Sequence, residues 1–396
     1  MRLLLLVFAL LVQTPAAINI QVKETAGIRR SAYPVNARVP FPKGILKDTE
    51  HVRLMLADKE VGAQFAAESR WPDQSVQWLD VDFNASIAPL ENQTYRLEHG
   101  PDVKAAAVLR GLAVTQNPDS IQAGNVRFNK SGAPMLLSVR YRQEDIGSGL
   151  NGFTVTDSTG ASHELSAAAG LKVEVVKPGP LYAVVRYTGR LALDPSYNVP
   201  FTITAEMPNS KSWVKYSASV DDSAKRIRDI SFNTPLALSA PPLLWDFGTG
   251  SWSYGSFRNP SDSVVFTQTV KANANEWVIR NGAKGQEQIY ETAAGNRPKI
   301  AEGWGHFQDG KEVIAFGFDK FGRRPGAYTV AFDALGQSTY RFAPAQPGTK
   351  IDLAIYQHYV ASPTPIGAVT SPVSMLNSLS VSLERDVYSK AGVPVP

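Results

Sequence analysis

The chain has 396 residues, 43% of them hydrophobic and 19% charged, with 40 Lys and Arg against 36 Asp and Glu. That composition can bury an ordinary core and excludes wholesale disorder. The charges are interspersed, so neither a nucleic-acid nor a membrane-surface footprint is expected, although a pI near 9.0 suits an acidic polysaccharide.

Met1-Arg2, the apolar run Leu3 to Val12 and the small-residue exit Thr14-Pro15-Ala16 have the layout of a secretory signal peptide over residues 1–17. The run is too short to span a bilayer. Cleavage is expected after Ala16 or Ala17, and the mature protein is expected to be secreted or periplasmic. The competing reading is a short membrane anchor. The chain has no cysteine, so neither a lipid-anchored form nor a disulfide is expected, and stability must come from packing.

Phe, Tyr and Trp number 17, 14 and 7, beside 27 Pro and 30 Gly, which favours strands and turns over helices. Residues 18–102 form the first expected domain. Val52 to Leu56 alternates with the strand period, and so does Val76 to Phe83, with Leu79, Val81 and Phe83 inward and Trp78 outward, where it is expected to seat a neighbouring domain. Pro40, Pro42 and Pro72 mark strand edges or turns. Thr94 to Leu97 is the closing strand of a small barrel. Residues 103–396 form the second expected domain. Its strand patterns include Leu171 to Val175, Phe201 to Ala205, Val214 to Val220, Ile351 to Ile355 and Leu379 to Leu383. Turn clusters such as Pro178-Gly179-Pro180 separate them, and the whole reads as a large antiparallel β-sandwich. Asp102 to Leu112 is expected as one short helix, and Pro365 to Leu376 as loop or helical turn. The expected fold class is all-β.

Two signatures in the first domain carry a family resemblance: Val39-Pro40-Phe41-Pro42-Lys43-Gly44 and Arg70-Trp71-Pro72-Asp73-Gln74-Ser75-Val76-Gln77-Trp78-Leu79, with Ala63-Gln64-Phe65 between them. This part resembles the N-terminal RIFT barrel of the exo-rhamnogalacturonan lyase and YetA-like family. The remainder is similar to that family's central sandwich, through Gly179-Pro180-Leu181, Arg186-Tyr187-Thr188-Gly189 and Ile227 to Phe232. The sandwich in turn resembles those of polysaccharide lyases and sugar mutarotases. Full-length members continue into an α/α toroid that forms the substrate cleft with the sandwich. No helical repeat follows here, so no catalytic residue is carried over.

The residues themselves offer candidates. No nucleophile elbow, zinc-protease motif or P-loop is present. The five His, at 51, 99, 163, 306 and 358, have no pairwise spacing that would place two on one face, so neither a metal nor a cofactor is expected. Trp245 to Gly255 places two Trp and a Tyr among Gly and Ser, as a loop that stacks on pyranose rings would require. Trp245, Trp252 and Tyr254, together with Trp304, are therefore the carbohydrate-binding candidates. The competing reading is that these rings cap the end of the sandwich. Glu302-Gly303-Trp304-Gly305-His306 would put Glu302 and His306 on one strand face as an acid and base. The alternative is an ordinary strand whose His makes one bond at the rim. Arg323, beside Arg324, could meet a uronate carboxylate, or be a solvated turn. His358, just before a Pro-rich loop, is the last catalytic candidate, or a core cap.

Three functions follow. The first is a secreted carbohydrate-associated protein that binds a polysaccharide, an oligosaccharide or a partner enzyme without catalysing. The second is a lyase or glycosidase acting on acidic pectin-like glycans. The third is a structural envelope protein.

Overall fold

The computed structural model describes residues 16–108, 110–141, 144–148, 152–238, 241–360 and 370–395. The expected signal peptide therefore lies outside the described residues, except for Ala16 and Ala17, which open the strand Ala16–Lys23. The described chain is almost entirely β. Among the described residues no helix is long and apolar enough to cross a membrane.

The chain divides into two units, residues 1–109 with 379–396, and residues 110–378. This differs from the expected boundary near 103 in one important respect: the C-terminal segment belongs to the first unit. The strand Ser380–Leu383 runs antiparallel to Ala16–Lys23, with Ile20 opposite Leu383 and Val22 opposite Val381. A pairing between the two ends of a chain leaves no mark in local periodicity.

In the first unit, a five-stranded sheet (Ser380–Leu383, Ala16–Lys23, Asn92–His99, Val52–Leu56, Lys59–Val61) accompanies a three-stranded one (Arg30–Pro40, Val76–Ile87, Ala63–Arg70). Leu79, Val81 and Phe83 are buried as their alternation requires, and Phe83 meets Tyr95 with ring centroids 4.7 Å apart. Pro34 and Pro40 are accommodated because Arg30–Pro40 is an edge strand. The two signatures are bonded to each other. The Trp71 indole N–H is donated to the Phe41 carbonyl at 2.9 Å, and the Gly44 N–H to Ser75 Oγ at 2.9 Å. Trp71 N–H bonds Ser75 O at 2.8 Å and closes the turn. Within this unit the Trp78 ring meets Tyr388 of the helix Arg385–Ala391 at 6.4 Å, and the Arg38 guanidinium lies 4.8 Å from its centroid.

The expected helix from Asp102 to Leu112 does not form among the described residues. Its N–H groups go elsewhere: Ala106 N–H to Glu60 Oε1 and Leu112 N–H to the Pro180 carbonyl. Gly111 lies against Pro180, where a Cβ would come within 2.2 Å of the ring.

The second unit holds an eight-stranded and a nine-stranded antiparallel sheet and a smaller five-stranded one. The two large sheets face each other across an aromatic core. Phe307 meets Phe332 at 3.9 Å, Phe247 meets Phe266 at 5.1 Å, and Tyr216 meets Phe232 at 4.8 Å, each pair taking one ring from each sheet. In the nine-stranded sheet, Trp245, Phe247, Phe307, Ile314, Phe316, Ile355 and Tyr359 point into this core. Strand alternation then sends Asp246, Trp304, His306, Ala315 and His358 to the outer face. Part of that face is covered by the short helix Thr370–Leu376, with Leu376 resting on Gly317, where a Cβ would meet it at 2.9 Å.

Candidate functional site

The sequence candidates separate into four places. Trp245 is 1% exposed and packs on Phe247 in the core, so it cannot stack on a sugar. Its inward direction follows from strand alternation, and Gly255 makes room for its ring, since a Cβ there would come 2.3 Å from Trp245. Its indole N–H has no acceptor among the described residues.

His306 and His358 share a row on the outer face. Across the strands, Asp246 stands opposite His306, His306 opposite Ala315, and Ala315 opposite His358. The approach is non-local and invisible in the spacing of the two His. His306 is 3% exposed, and its Nδ1 lies 2.7 Å from Asp246 Oδ1, which also accepts the His306 backbone N–H at 3.1 Å. His358 Nδ1 is bonded to Ser371 Oγ. Burial first, then the neighbouring Lys211 and His306, push the His358 imidazole down to about 4, so it is neutral at pH 7. Each His thus has a bonded Nδ1, and neither lines the cleft described below. Among the described residues no group of three or more His, Cys, Asp or Glu could hold a metal.

Glu302, Trp304 and Arg323 do converge, in a cleft of about 310 Å³ shared with Phe318, Lys320, Phe321 and the helix residues Val373 and Leu376. The expected alternation of Glu302 with Trp304 and His306 fails because Gly303, at φ +78, turns the chain before the strand Trp304–Gln308 begins. Glu302 instead doubles back and accepts the Trp304 indole N–H at 2.7 Å on Oε2 and the Gly250 N–H at 3.1 Å on Oε1. Gly303 has a second task. A Cβ there would come 2.4 Å from Phe321, and its carbonyl accepts the Phe318 N–H at 2.9 Å. The turn that carries Lys320 and Arg323 is thereby held beside Glu302.

The two arginines part company. Arg324 bonds Asp352 Oδ1 at 2.9 Å and covers Phe342 at 4.1 Å. Arg323 and Lys320 are both exposed, and no carboxylate among the described residues is paired with either. The cleft therefore offers two cations, an oriented carboxylate and an apolar wall. Trp304, at 3% exposure and with its N–H given to Glu302, lends only its edge and no face on which a sugar could stack, contrary to the expectation from sequence. Lys320 was not legible as a site residue, since the turn around Gly322 gives no sign of what it faces. Trp252 and Tyr254 lie on the neighbouring edge strand Trp252–Ser256, at 58% and 53% exposure.

No known family profile matches the sequence, and no curated protein matches it. Among solved structures, the fold is similar to a protein in the glycosyl hydrolase family 38 from Enterococcus faecalis, at 11% identity and a TM-score of 0.60, covering 93% of this chain and 47% of that one. It is also similar to an alpha-mannosidase from Enterococcus faecalis V583, at 10% identity and a TM-score of 0.55, covering 93% of this chain and 46% of that one. The chain thus spans about half the length of the structures it resembles. At these identities the likeness concerns the fold.

Proposed function

We propose that this is a secreted or periplasmic carbohydrate-associated protein that binds glycan rather than cleaving it, with an anionic sugar in the cleft between Glu302 and Arg323. One observation carries the reading: Lys320 and Arg323 line a cleft in which no carboxylate among the described residues is paired with either, because Glu302, which shares the cleft, has its oxygens engaged by Trp304 and Gly250. Cations left exposed in a cleft favour an anion from solvent, and Arg offers a fork that matches a carboxylate. The signal-like leader supports secretion. The signature residues support membership of the exo-rhamnogalacturonan lyase and YetA-like family, with a RIFT-type first unit and a lyase or mutarotase type sandwich. The carbohydrate-active names of the two similar structures support only the coarser reading, a carbohydrate-associated protein.

A lyase needs a base beside the α-proton. His306 has its Nδ1 committed to Asp246 and does not line the cleft, the described lining contributes no His or Tyr, and its Lys320 and Arg323 serve in this reading to hold the anion. Binding without elimination is the simpler use of this site, alone or as an accessory to a partner enzyme.

The test is retention on immobilised polygalacturonate, rhamnogalacturonan and neutral glycans, followed together with unsaturated-uronate absorbance. Retention on the acidic polymers alone is expected, weakened by salt and by Arg323→Ala, with flat absorbance. A rise in absorbance would establish the lyase. Retention on none would leave the structural envelope role.

A further inference from the structure

The cleft does not end at Glu302. Its carboxylate is held from one side by Trp304 and from the other by the Gly250 N–H, and Gly250 belongs to the turn leading into the edge strand Trp252–Ser256. Trp252 stands directly opposite Gly248. Gly248 has no side chain because the Trp304 indole lies over it, where a Cβ would come 2.3 Å from Trp304 Cε2. The cleft wall and Trp252 are therefore adjoining parts of one surface.

Along that strand Trp252 and Tyr254 share the outward face, roughly 7 Å apart by strand geometry. They are more than half exposed while Ser253 between them is buried. The platform is fixed in place. The Tyr290 hydroxyl, from the edge strand of the opposite sheet, donates to the Tyr254 carbonyl at 2.9 Å. Thr249 Oγ1 and Ser253 Oγ lie 2.9 Å apart beneath it. Cations without a paired carboxylate among the described residues stand at the cleft end, while Trp252 to Ser256 itself carries no charge and Arg297, 3.4 Å from Ser253 Oγ, is paired with Glu291.

We infer that the ligand is an extended chain, with an anionic residue in the cleft and the next residues stacked along Trp252 and Tyr254. Deepening the cleft reading, this rests on it. A free monosaccharide would use only the cleft, and the two rings would have no purpose in its recognition. Apolar sugar faces stack on aromatic rings, and a platform held rigid before binding loses little entropy.

The test is calorimetric titration of the full chain with oligogalacturonides from dimer to hexamer. Wild-type affinity should rise about tenfold between the dimer and the longer members, which corresponds to about 1.4 kcal/mol. Trp252→Ala with Tyr254→Ala should flatten that rise, weakening the longer members most, whereas Arg323→Ala should weaken every length alike. Both aromatic side chains are exposed, so the fold should survive, and circular dichroism checks it. A flat wild-type series that still depends on Arg323 overturns the extended site and spares the cleft. Binding of no member overturns both. If the double variant instead dissociates a dimer seen by sedimentation, the platform is a contact with a second copy and the inference fails.

Discussion

Glu302 and Trp304 hold one another: the indole N–H is donated to Oε2 at 2.7 Å, and Oε1 is occupied by the Gly250 N–H at 3.1 Å. An exposed carboxylate with both oxygens engaged is an orienting group. Glu302→Ala should release the indole, change the near-ultraviolet circular dichroism and lower anionic-glycan affinity about tenfold. Stability should fall by only about 1 kcal/mol, because water replaces the lost partners. In Glu302→Gln the amide can keep one bond but must turn a donor toward the other N–H, so an intermediate loss is expected. Unchanged affinity in both variants would remove Glu302 from the site.

Gly248→Ala tests the same wall from beneath. A methyl 2.3 Å from Trp304 Cε2 cannot be accommodated without moving the indole. Overpacking of this kind typically costs about 1–3 kcal/mol. The expected result is a lower melting temperature together with altered Trp fluorescence and lost glycan retention. Wild-type retention would mean that the indole edge takes no part.

His358 gives the second unit a pH dependence. Its folded pKa is about 4, lowered first by burial and then by Lys211 and His306, against about 6.5 unfolded. Between these values the unfolded chain binds more protons than the folded one. The stabilisation is therefore complete above about pH 6.5 and lost as pH falls toward 4. The groups facing this imidazole are Ser371, Trp213, Lys211 and His306. His358→Gln should flatten denaturant-measured stability across that window, and an unchanged slope would contradict the buried neutral imidazole.

The fold class was legible because it depends on local alternation. Leu79, Val81 and Phe83 point inward, and the strands around Val214 and Ile351 lie where period two places them. Trp245 departs from its sequence expectation for a related reason: Gly and Ser around an aromatic residue resemble a loop, but Leu244–Gly248 is a strand whose odd positions face the core. Only three-dimensional pairing brings His306 into one row with His358, Glu302 back onto Trp304, or Ser380–Leu383 beside Ala16–Lys23. Arg323 was legible as a cation at a turn. What separates it from Arg324 is Asp352, which lies on another strand.

The first unit contains a buried ion pair that a pH titration can read separately. Glu24 is 0% and Arg30 2% exposed, and their side chains meet at 3.0 Å. Burial alone would raise the Glu24 carboxyl. The N–H groups of Leu90, Ala26 and Gly27, together with Arg30, outweigh it and hold the group at about 2. The stabilisation is present above the usual value of 4.5 and is lost as pH falls from there toward 2, a window below that of His358. Arg30→Met leaves a buried carboxylate with only its N–H donors and should cost about 3–5 kcal/mol. Glu24→Gln with Arg30→Met should cost less, because no charge is then stranded, and it should remove the acid-limb slope. Equal destabilisation by the single and the double variant would show that the backbone N–H bonds, and not the guanidinium, hold Glu24 ionised.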